Sequence, residues 1–507
     1  MKKISILLVT LFVTIGINAQ TINDVLSAGT ENLQGTARYQ AMSGAFGALG
    51  GDLSALNNNP ASSAVFLNSY ITISGTNYYI SNDTRYGGGP NFNENSSDLN
   101  INQIGAVLVL NNSNDSSDWK KLSFAFNYDI ANNFDNTFFA SGNSNVSVDQ
   151  YFLNFAQGQE LEPLFVQTGE LIEEAYLDIG NSIGFEAQQA FLGFQSYIIE
   201  PEDINDDENT SYYSNADFSS VNQDYFVSTT GLNSKFTANM ATQYGDNLYL
   251  GASLNFNAID KETLTQFDEG GYSPGSPLEF VQFDNYLRTY GNGFSFSLGG
   301  IAKVNELIRL GASYQSPTWY RLTDEFSQFI NTNIAEVENP DLAYINFDLV
   351  NVFPDYKIQI PAKLTASAAL VFEQYGLLSF DYGYQDMSNA VLKPKTDPGF
   401  AAENEYIENN LKAVSTFKIG GEYRIKQLSL RGGYRFEESP YENSDMIGDL
   451  NGFSLGAGYS FGATKIDLSY NQSQRDINHR LFETGLTNTA AIDSKNTNVT
   501  LSVSFNL

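Results

Sequence analysis

The sequence predicts an all-β chain: a fourteen-stranded antiparallel transmembrane β-barrel with an N-terminal lumenal plug and a helical extracellular loop. Three observations lead there. Period-two alternation of apolar and polar residues recurs in fourteen segments, the connections between them alternate short and long, and the residues before the first segment are rich in Gly, Ala and Asn instead of alternating.

The alternation marks strands with one apolar face. At the C-terminus Val499, Leu501, Val503, Phe505 and Leu507 alternate with Asn498, Thr500, Ser502, Ser504 and Asn506. The same pattern runs through Leu122 to Ile130, Leu250 to Ala258, Ile308 to Tyr314, Phe417 to Tyr423 and Phe453 to Phe461. The segments start near Ser69, Ile101, Trp119, Asp224, Asn247, Asp284, Leu307, Asp355, Gly376, Lys412, Gln427, Leu450, Ala463 and Ser494. Short turns are expected at residues 111–118, 244–247, 304–306, 373–376, 425–427 and 461–464. Long loops are expected at 81–100, 131–223, 260–283, 321–354, 388–411, 438–449 and 472–493. Short periplasmic turns and longer outside loops are what a bacterial outer-membrane barrel shows. Its sheet must close, because lipid offers no partner to an unpaired backbone group. A soluble sandwich or propeller has no reason for loop lengths that alternate. The pattern puts Val148 to Ile198 outside the cell and Tyr244 to Asn247 in the periplasm.

The first residues read as an export signal. Lys2 and Lys3 precede an apolar stretch from Ile4 to Ile15, and Ile17-Asn18-Ala19 offers a small-residue cleavage site. The stretch is shorter than the ~20 residues of a spanning helix, so residues 1–19 are assigned as a signal peptide rather than an anchor. Residues 20–68 form the plug and 69–507 the barrel, set among outer-membrane lipid and lipopolysaccharide. The chain of 507 residues would otherwise suggest several domains, yet no linker divides it. The mean hydropathy of −0.25 suits a barrel, in which only alternate residues face lipid.

Composition excludes other classes. A formal charge of −32 leaves no basic face for nucleic acid. The acids concentrate in loops such as 160–178 and 200–208, as a solvated surface would, and Asp203, Asp206 and Asp207 lack the spacing of a calcium loop. No cysteine is present, which removes disulfides, thiolate metal sites, thiol nucleophiles and acylation on a first cysteine. The one histidine, His479, falls in the last outside loop as a solvated side chain. That leaves no positioned catalytic base and little to ligate haem, so neither an enzyme nor a cofactor is expected.

Two features remain. About residues 146–199, Val148, Tyr151, Phe152 and Phe155 have helical spacing, as do Leu171, Ile172, Ala175 and Tyr176. These helices pack on the barrel mouth, with Phe152 and Phe155 serving either as packing core or as the lining of a ligand groove. The alternation also turns Lys235, Lys303, Arg309, Lys357, Lys363, Lys418, Arg424, Arg431, Arg435 and Lys465 inward, against fewer acids: Asp129, Asp381, Glu422, Glu437 and Asp467. The bases either pair with these and with plug acids such as Asp24, Glu31 and Asp52, or receive an anionic head group. Arg431 and Arg435 suit the second role because a guanidinium grips a carboxylate in bidentate fashion.

The stretch from Gly35 to Ala61, with its Gly- and Ala-rich run, Asp52 and then Asn59-Pro60-Ala61, resembles the hatch of the FadL/TodX family of long-chain fatty-acid and aromatic-hydrocarbon transporters. Pro361 to Ser367 and Leu430 to Phe436 are similar to the family too, in the style of members from Bacteroidetes-type bacteria. The last strand resembles the signal that barrel-assembly machinery reads. The resemblance implies a fourteen-stranded barrel closed by its hatch, and a hydrophobic substrate, a fatty acid or aromatic hydrocarbon, that passes through the lumen and leaves partly sideways through the wall. On that reading Phe46, Leu49 and Leu53 meet the substrate's tail and Arg431 and Arg435 its head. The family's wall opening depends on a kinked third strand, and residues 119–134 contain neither Gly nor Pro to announce one. The alternatives are a barrel that transports nothing and docks to or shuttles for a secretion machinery, and a general porin, which a plug disfavours.

Overall fold

The computed structural model describes residues 21–114 and 116–507; the expected cleavage at Ala19 lies outside them. Fourteen strands are joined in sequence order: β1 (Tyr70–Arg85), β2 (Phe92–Asn111), β3 (Trp119–Asn133, continued by Asn136–Ser144), β4 (Val221–Tyr244), β5 (Leu248–Gly270), β6 (Phe280–Lys303) and β7 (Ile308–Gln315, continued by Thr318–Thr332). Then come β8 (Tyr356–Ile360, continued by Lys363–Phe372), β9 (Gly376–Asp386), β10 (Ala413–Ile425), β11 (Leu428–Glu437), β12 (Leu450–Ser460), β13 (Thr464–Arg480) and β14 (Thr489–Asn506). Neighbours pair antiparallel, and β1 pairs with β14 from Tyr70↔Asn506 to Arg85↔Ala491, which closes the sheet. Most strands begin within a few residues of where the alternation places them; β2 begins at Phe92, inside the loop expected at 81–100.

Near the inner rim the alternation runs apolar outward. Leu254, Leu298, Leu310, Leu455 and Leu501 are exposed on the wall, while Ser253, Ser297, Ser454 and Ser502 are buried inside. This is the lipid-facing band.

The strands are longer than the alternation suggests, and their outer halves reverse polarity. The loop expected at 81–100 shrinks to residues 86–91, and that expected at 472–493 shrinks to 481–488. Above the bilayer the wall faces water outside and packed protein inside, so the apolar face turns inward. Tyr320, Leu322, Tyr356 and Ile358 are buried in the lumen, and on the outer surface Arg321 reaches Asp355 at 2.7 Å and Arg288 reaches Asp260 at 3.0 Å. Lys357 is corrected by this reversal: it is exposed on the outer surface between inward Tyr356 and Ile358, and the break at Pro361–Ala362 restores the opposite phase so that Lys363 points inward. His479 is corrected as well. It belongs to β13, half-buried, with its ring 5.0 Å from Phe138 and Nε2 3.2 Å from the Tyr225 hydroxyl.

The insertion between β3 and β4 caps the outer mouth. Helices α3 (Asp149–Ala156), α4 (Ile172–Ser182) and α5 (Phe185–Gln195) pack with the inner faces of the strand tops. Phe152 is fully buried and Phe155 nearly so, among Tyr151, Phe283 and Phe482. Both belong to the packing core of the cap. The cap is pinned by Glu269 at the top of β5, which accepts hydrogen bonds from Ser147 Oγ (2.5 Å), the Val148 N–H (3.1 Å), Gln223 Nε2 (2.6 Å) and Tyr272 Oη (2.5 Å).

This orientation is tested with single cysteines, which stand alone in a cysteine-free chain. A membrane-impermeant maleimide should label Asp206→Cys on intact cells and Asp246→Cys only after the outer membrane is permeabilised. Labelling of Asp246→Cys on intact cells would reverse the orientation.

Candidate functional site

The residues ahead of β1 lie inside the barrel. An eight-residue helix, α1 (Ile22–Gly29), is capped by Thr21 and Asp24 and is followed by a short helix, α2 (Ala37–Ala41), and tight turns in which Gly44, Gly50 and Gly51 have positive φ. Asn59 orders the end of the plug. Its Oδ1 accepts the Ala61 N–H (3.0 Å), and its Nδ2 donates to Gly47 O (2.8 Å) and to Gly300 O on β6 (3.0 Å). Pro60 opens the 3-10 turn that leads to β1. Asp52 accepts from Thr36 Oγ1 (2.9 Å) and the Ser54 N–H (3.0 Å).

The plug rests on the wall by close backbone approach. A Cβ at wall residues Gly299, Gly311, Gly420 or Gly433 would overlap Asn59, Gly47, Met42 or Ser43 of the plug. Asp381 of β9 then enters the plug, accepting from the Phe46 N–H (3.0 Å), the Gly47 N–H (2.9 Å) and Asn58 Nδ2 (2.8 Å). Phe46 packs on Tyr39 and under the Arg38 guanidinium, Leu49 packs in the same cluster, and Leu53 packs against Val107 and Ala125 of the wall. These three apolar residues therefore hold the plug to the barrel; of the three, Leu53 also reaches a cavity, the inner vestibule described below.

The inward bases are mostly paired. Arg431 is clamped between Glu422 (2.7 Å) and Asp467 (2.6 Å), and Glu422 also binds Arg38 of the plug (2.9 Å) and Arg424 (2.5 Å). This cluster borders a vestibule of about 500 Å³ that opens at the inner rim. Arg435 lies on the other side of the plug, bound to Glu437 (2.5 Å) and to the Glu31 carbonyl (3.2 Å). Arg431 and Arg435 thus border different cavities. Glu31 itself takes Lys235 at 2.9 Å and Lys363 at 3.2 Å.

The third strand is kinked without Gly or Pro. The β2–β3 pairing runs from Asn111↔Lys121 to Gln103↔Asp129 and stops. Beyond it β2 continues to Phe92 along β1, while β3 continues along β4. Ala131 is an extra residue in β3 and Asn102 an extra residue in β2, so a bulge sits on each side of the divergence. The outer half of β3 turns under its neighbour: Asn82 on the inner face of β1 donates to Asn136 Oδ1 (2.6 Å) and Thr137 O (2.7 Å). A seam is left in the wall, with Leu99 and Ile101 exposed beside it at 73% and 60%.

The plug stitches the start of this seam. Unpaired backbone groups in lipid cost several kcal/mol each; Asn32 satisfies one of them, and residues 32–35 add bonds to wall side chains. The Asn32 N–H donates to Ala131 O (3.1 Å), Asn102 Nδ2 donates to Gly35 O (2.7 Å), Tyr78 Oη donates to Gln34 Oε1 (2.7 Å), and the Asn32 side chain bonds Asn132. A small cavity beside the stitch is lined by Glu31, Asn32, Ala131, Lys235, Lys418 and Arg435. Nothing in the sequence signals Ala131 or Asn132; the pairing of Lys235 and Lys363 with Glu31 was one of two options.

Above the cavity α1 fills an apolar chamber. Ile22, Val25 and Leu26 are buried against Tyr356, Ile358, Ile360, Leu392 and the loop helix α6 (Pro398–Asn410), through Phe400 and Ile407. The Ile22 N–H donates to Glu403 Oε1 at 2.5 Å, and burial pushes that carboxyl up.

Asp381 is the plug's charged anchor. Hydrogen bonds to a charged group are worth about 1.5–3 kcal/mol each, so Asp381→Ala, which removes three of them from the plug and none from the strand ladder, should loosen the plug and raise single-channel conductance in planar bilayers. Deleting residues 21–57 should raise it further, with the barrel still folded, because the ladder from strand to strand closes without the plug, whose one backbone bond to the seam is Asn32 N–H to Ala131 O. Unchanged conductance in both variants would place the block elsewhere, in the cap.

Comparison with known proteins agrees with this architecture. No curated protein matches the sequence. Among solved structures, a Pseudomonas aeruginosa FadL homologue is similar at a TM-score of 0.55 and 15% identity, covering 94% of this chain and 99% of that one. The Pseudomonas putida toluene transporter TodX is similar at 0.49 and 13%, covering 94% and 99%, and the Ralstonia pickettii toluene transporter TbuX at 0.46 and 16%, covering 94% and 100%. The family model described as outer membrane protein transport protein (OMPP1/FadL/TodX) matches residues 209–506. With more than half its length matched by that model, and with its plug, seam and fourteen strands, the chain belongs to the OMPP1/FadL/TodX family of outer-membrane transport proteins.

Proposed function

We propose that this protein carries small hydrophobic molecules, fatty-acid-like in character, across the outer membrane and releases them sideways through the seam between β2 and β3. The observation that carries this reading is the meeting of three features at one place: a break in wall pairing, apolar residues facing lipid beside it, and a plug segment that borders both the break and a lumenal cavity. A hydrophobic molecule that reaches the cavity has an apolar exit there, whereas the straight path to the periplasm is blocked by the plug and its ion pairs. A pore for hydrophilic solutes needs an open aqueous lumen, and the plug occupies it.

The test is uptake by cells that lack their own transporter and express this protein. Labelled oleate or toluene should enter faster than in empty-vector cells, and a sugar of similar size should not. Deleting the bulge residue Ala131, which lets β3 continue along β2, should cut uptake by at least about tenfold while the barrel still assembles. If the sugar enters and neither hydrophobic probe does, the protein is a porin and this reading falls.

A further inference from the structure

The vestibule at the inner rim lies apart from the seam and from the cavity beside Glu31. Five bases line its 500 Å³, Arg38 of the plug with Arg424, Lys426, Arg431 and Lys465 of the wall, against three acids, Asp52, Glu422 and Asp467. In a chain with a formal charge of −32 the balance here is positive. The acids are already engaged. Glu422 takes Arg38, Arg424 and Arg431, Asp467 takes Arg431 as well, and Asp52 accepts from Thr36 and Ser54. Lys426, in the turn between β10 and β11, and Lys465, at the start of β13, have no ion pair and no side-chain hydrogen bond among the described residues. Arg38 and Arg424 do not use all their donors either. A guanidinium has five N–H groups; Arg38 gives Nε to Glu422 and Nη1 to the Gly51 carbonyl, and Arg424 gives Nε and Nη2 to Glu422. The plug needs neither lysine, since Glu422 and Asp381 already hold it to the wall.

We infer that this vestibule is a binding site for a compact, soluble oxyanion with two charges, a phosphate or a dicarboxylate, held by Lys426 and Lys465 together with the remaining N–H groups of Arg38 and Arg424. The inference goes beyond the transport reading and does not depend on it. Its volume falls in the range of sites for small molecules. Its unused groups are all donors of positive charge, and donors of that kind bind anionic oxygens in strong, short hydrogen bonds. The five bases exceed the three acids by two, so a dianion brings the vestibule to neutrality and a monoanion leaves it half compensated. The ligand comes from solution and not from the bilayer. The ladder from β10 to β13 is continuous beside the vestibule, through Glu422↔Arg431, Arg431↔Gly456 and Gly458↔Asp467, so a lipid head group has no gap to enter by.

The experiment is calorimetric titration of the full-length protein in detergent, at mildly alkaline pH, with inorganic phosphate, succinate and acetate. Phosphate or succinate should bind at one site per chain, at least about tenfold more tightly than acetate. Lys426→Gln with Lys465→Gln should weaken the dianion by at least about tenfold. Because neither lysine bonds to the rest of the chain, this variant should fold, which heat-modifiable gel mobility verifies. Lys357→Gln with Lys395→Gln removes the same charge from the outer end of the molecule and should leave binding unchanged. Binding of one dianion alone supports the site and narrows its chemistry. The inference is overturned if neither dianion binds, if acetate binds as tightly, if the vestibule pair leaves binding intact, or if the outer pair weakens it as much. Uptake of oleate and toluene is a separate measurement, so failure here leaves the transport reading standing.

Discussion

A sheet immersed in hydrocarbon has to satisfy every backbone donor and acceptor within itself, and most of this molecule is a consequence of that demand. β1 and β14 join across the ends of the chain, the inner-rim turns stay short, and the inward face can be as polar as the lumen requires because only the outward face meets lipid. Against this background the place where β2 and β3 part carries the most information. A wall that closes by necessity has been left unclosed at one point, and the plug binds there, to the Ala131 carbonyl and to the side chains of Tyr78, Asn102 and Asn132.

That point also explains the unequal distribution of charge. The chain is strongly acidic, yet its lumen holds many bases, and those around Glu31, Glu422 and Glu437 are engaged with carboxylates of the wall or plug. Charges buried in this way favour definite partners over net stability. Glu422, shared by three guanidiniums, and Asp381, seated on plug N–H groups, act as positioning devices that place a segment with little core of its own.

The sequence was legible where lipid enforces a rule and opaque where protein packs on protein. The strand positions could be read because a residue facing hydrocarbon must be apolar and its neighbour need not be, as at Val499 to Leu507. The rule fails above the bilayer, which is why the outer part of β2 reads as loop and why Lys357 was assigned to the wrong face. The kink at Ala131 was invisible because it is made by a bulge and by contacts with Asn32 and Asn102, residues distant in the chain. The plug motif around Asn59 could be recognised. Its seats could not, although glycine at inward positions such as Gly299 and Gly311, where small polar residues would be ordinary, is a sign available to inspection. Phe152 and Phe155 showed helical spacing correctly, but spacing alone does not separate a cap core from a groove. Arg431 had the right chemistry for a carboxylate and already holds two from the wall.

The reversal of polarity along strands such as β7 and β8 has a consequence for the membrane itself. Lipid-facing residues give way within a turn of the strand to Asp260, Arg288, Arg321 and Lys357 on the same outer surface. Sinking such a ring into a thicker bilayer would bury bases at roughly 2–4 kcal/mol each near the midplane. Raising the barrel would strip hydrocarbon from the aromatic residues at the inner rim, such as Trp119, Tyr244, Tyr423 and Phe461. The height of the molecule is thereby set from both sides, which suits it to one membrane thickness and disfavours any other. It also holds the seam at a constant depth in the leaflet.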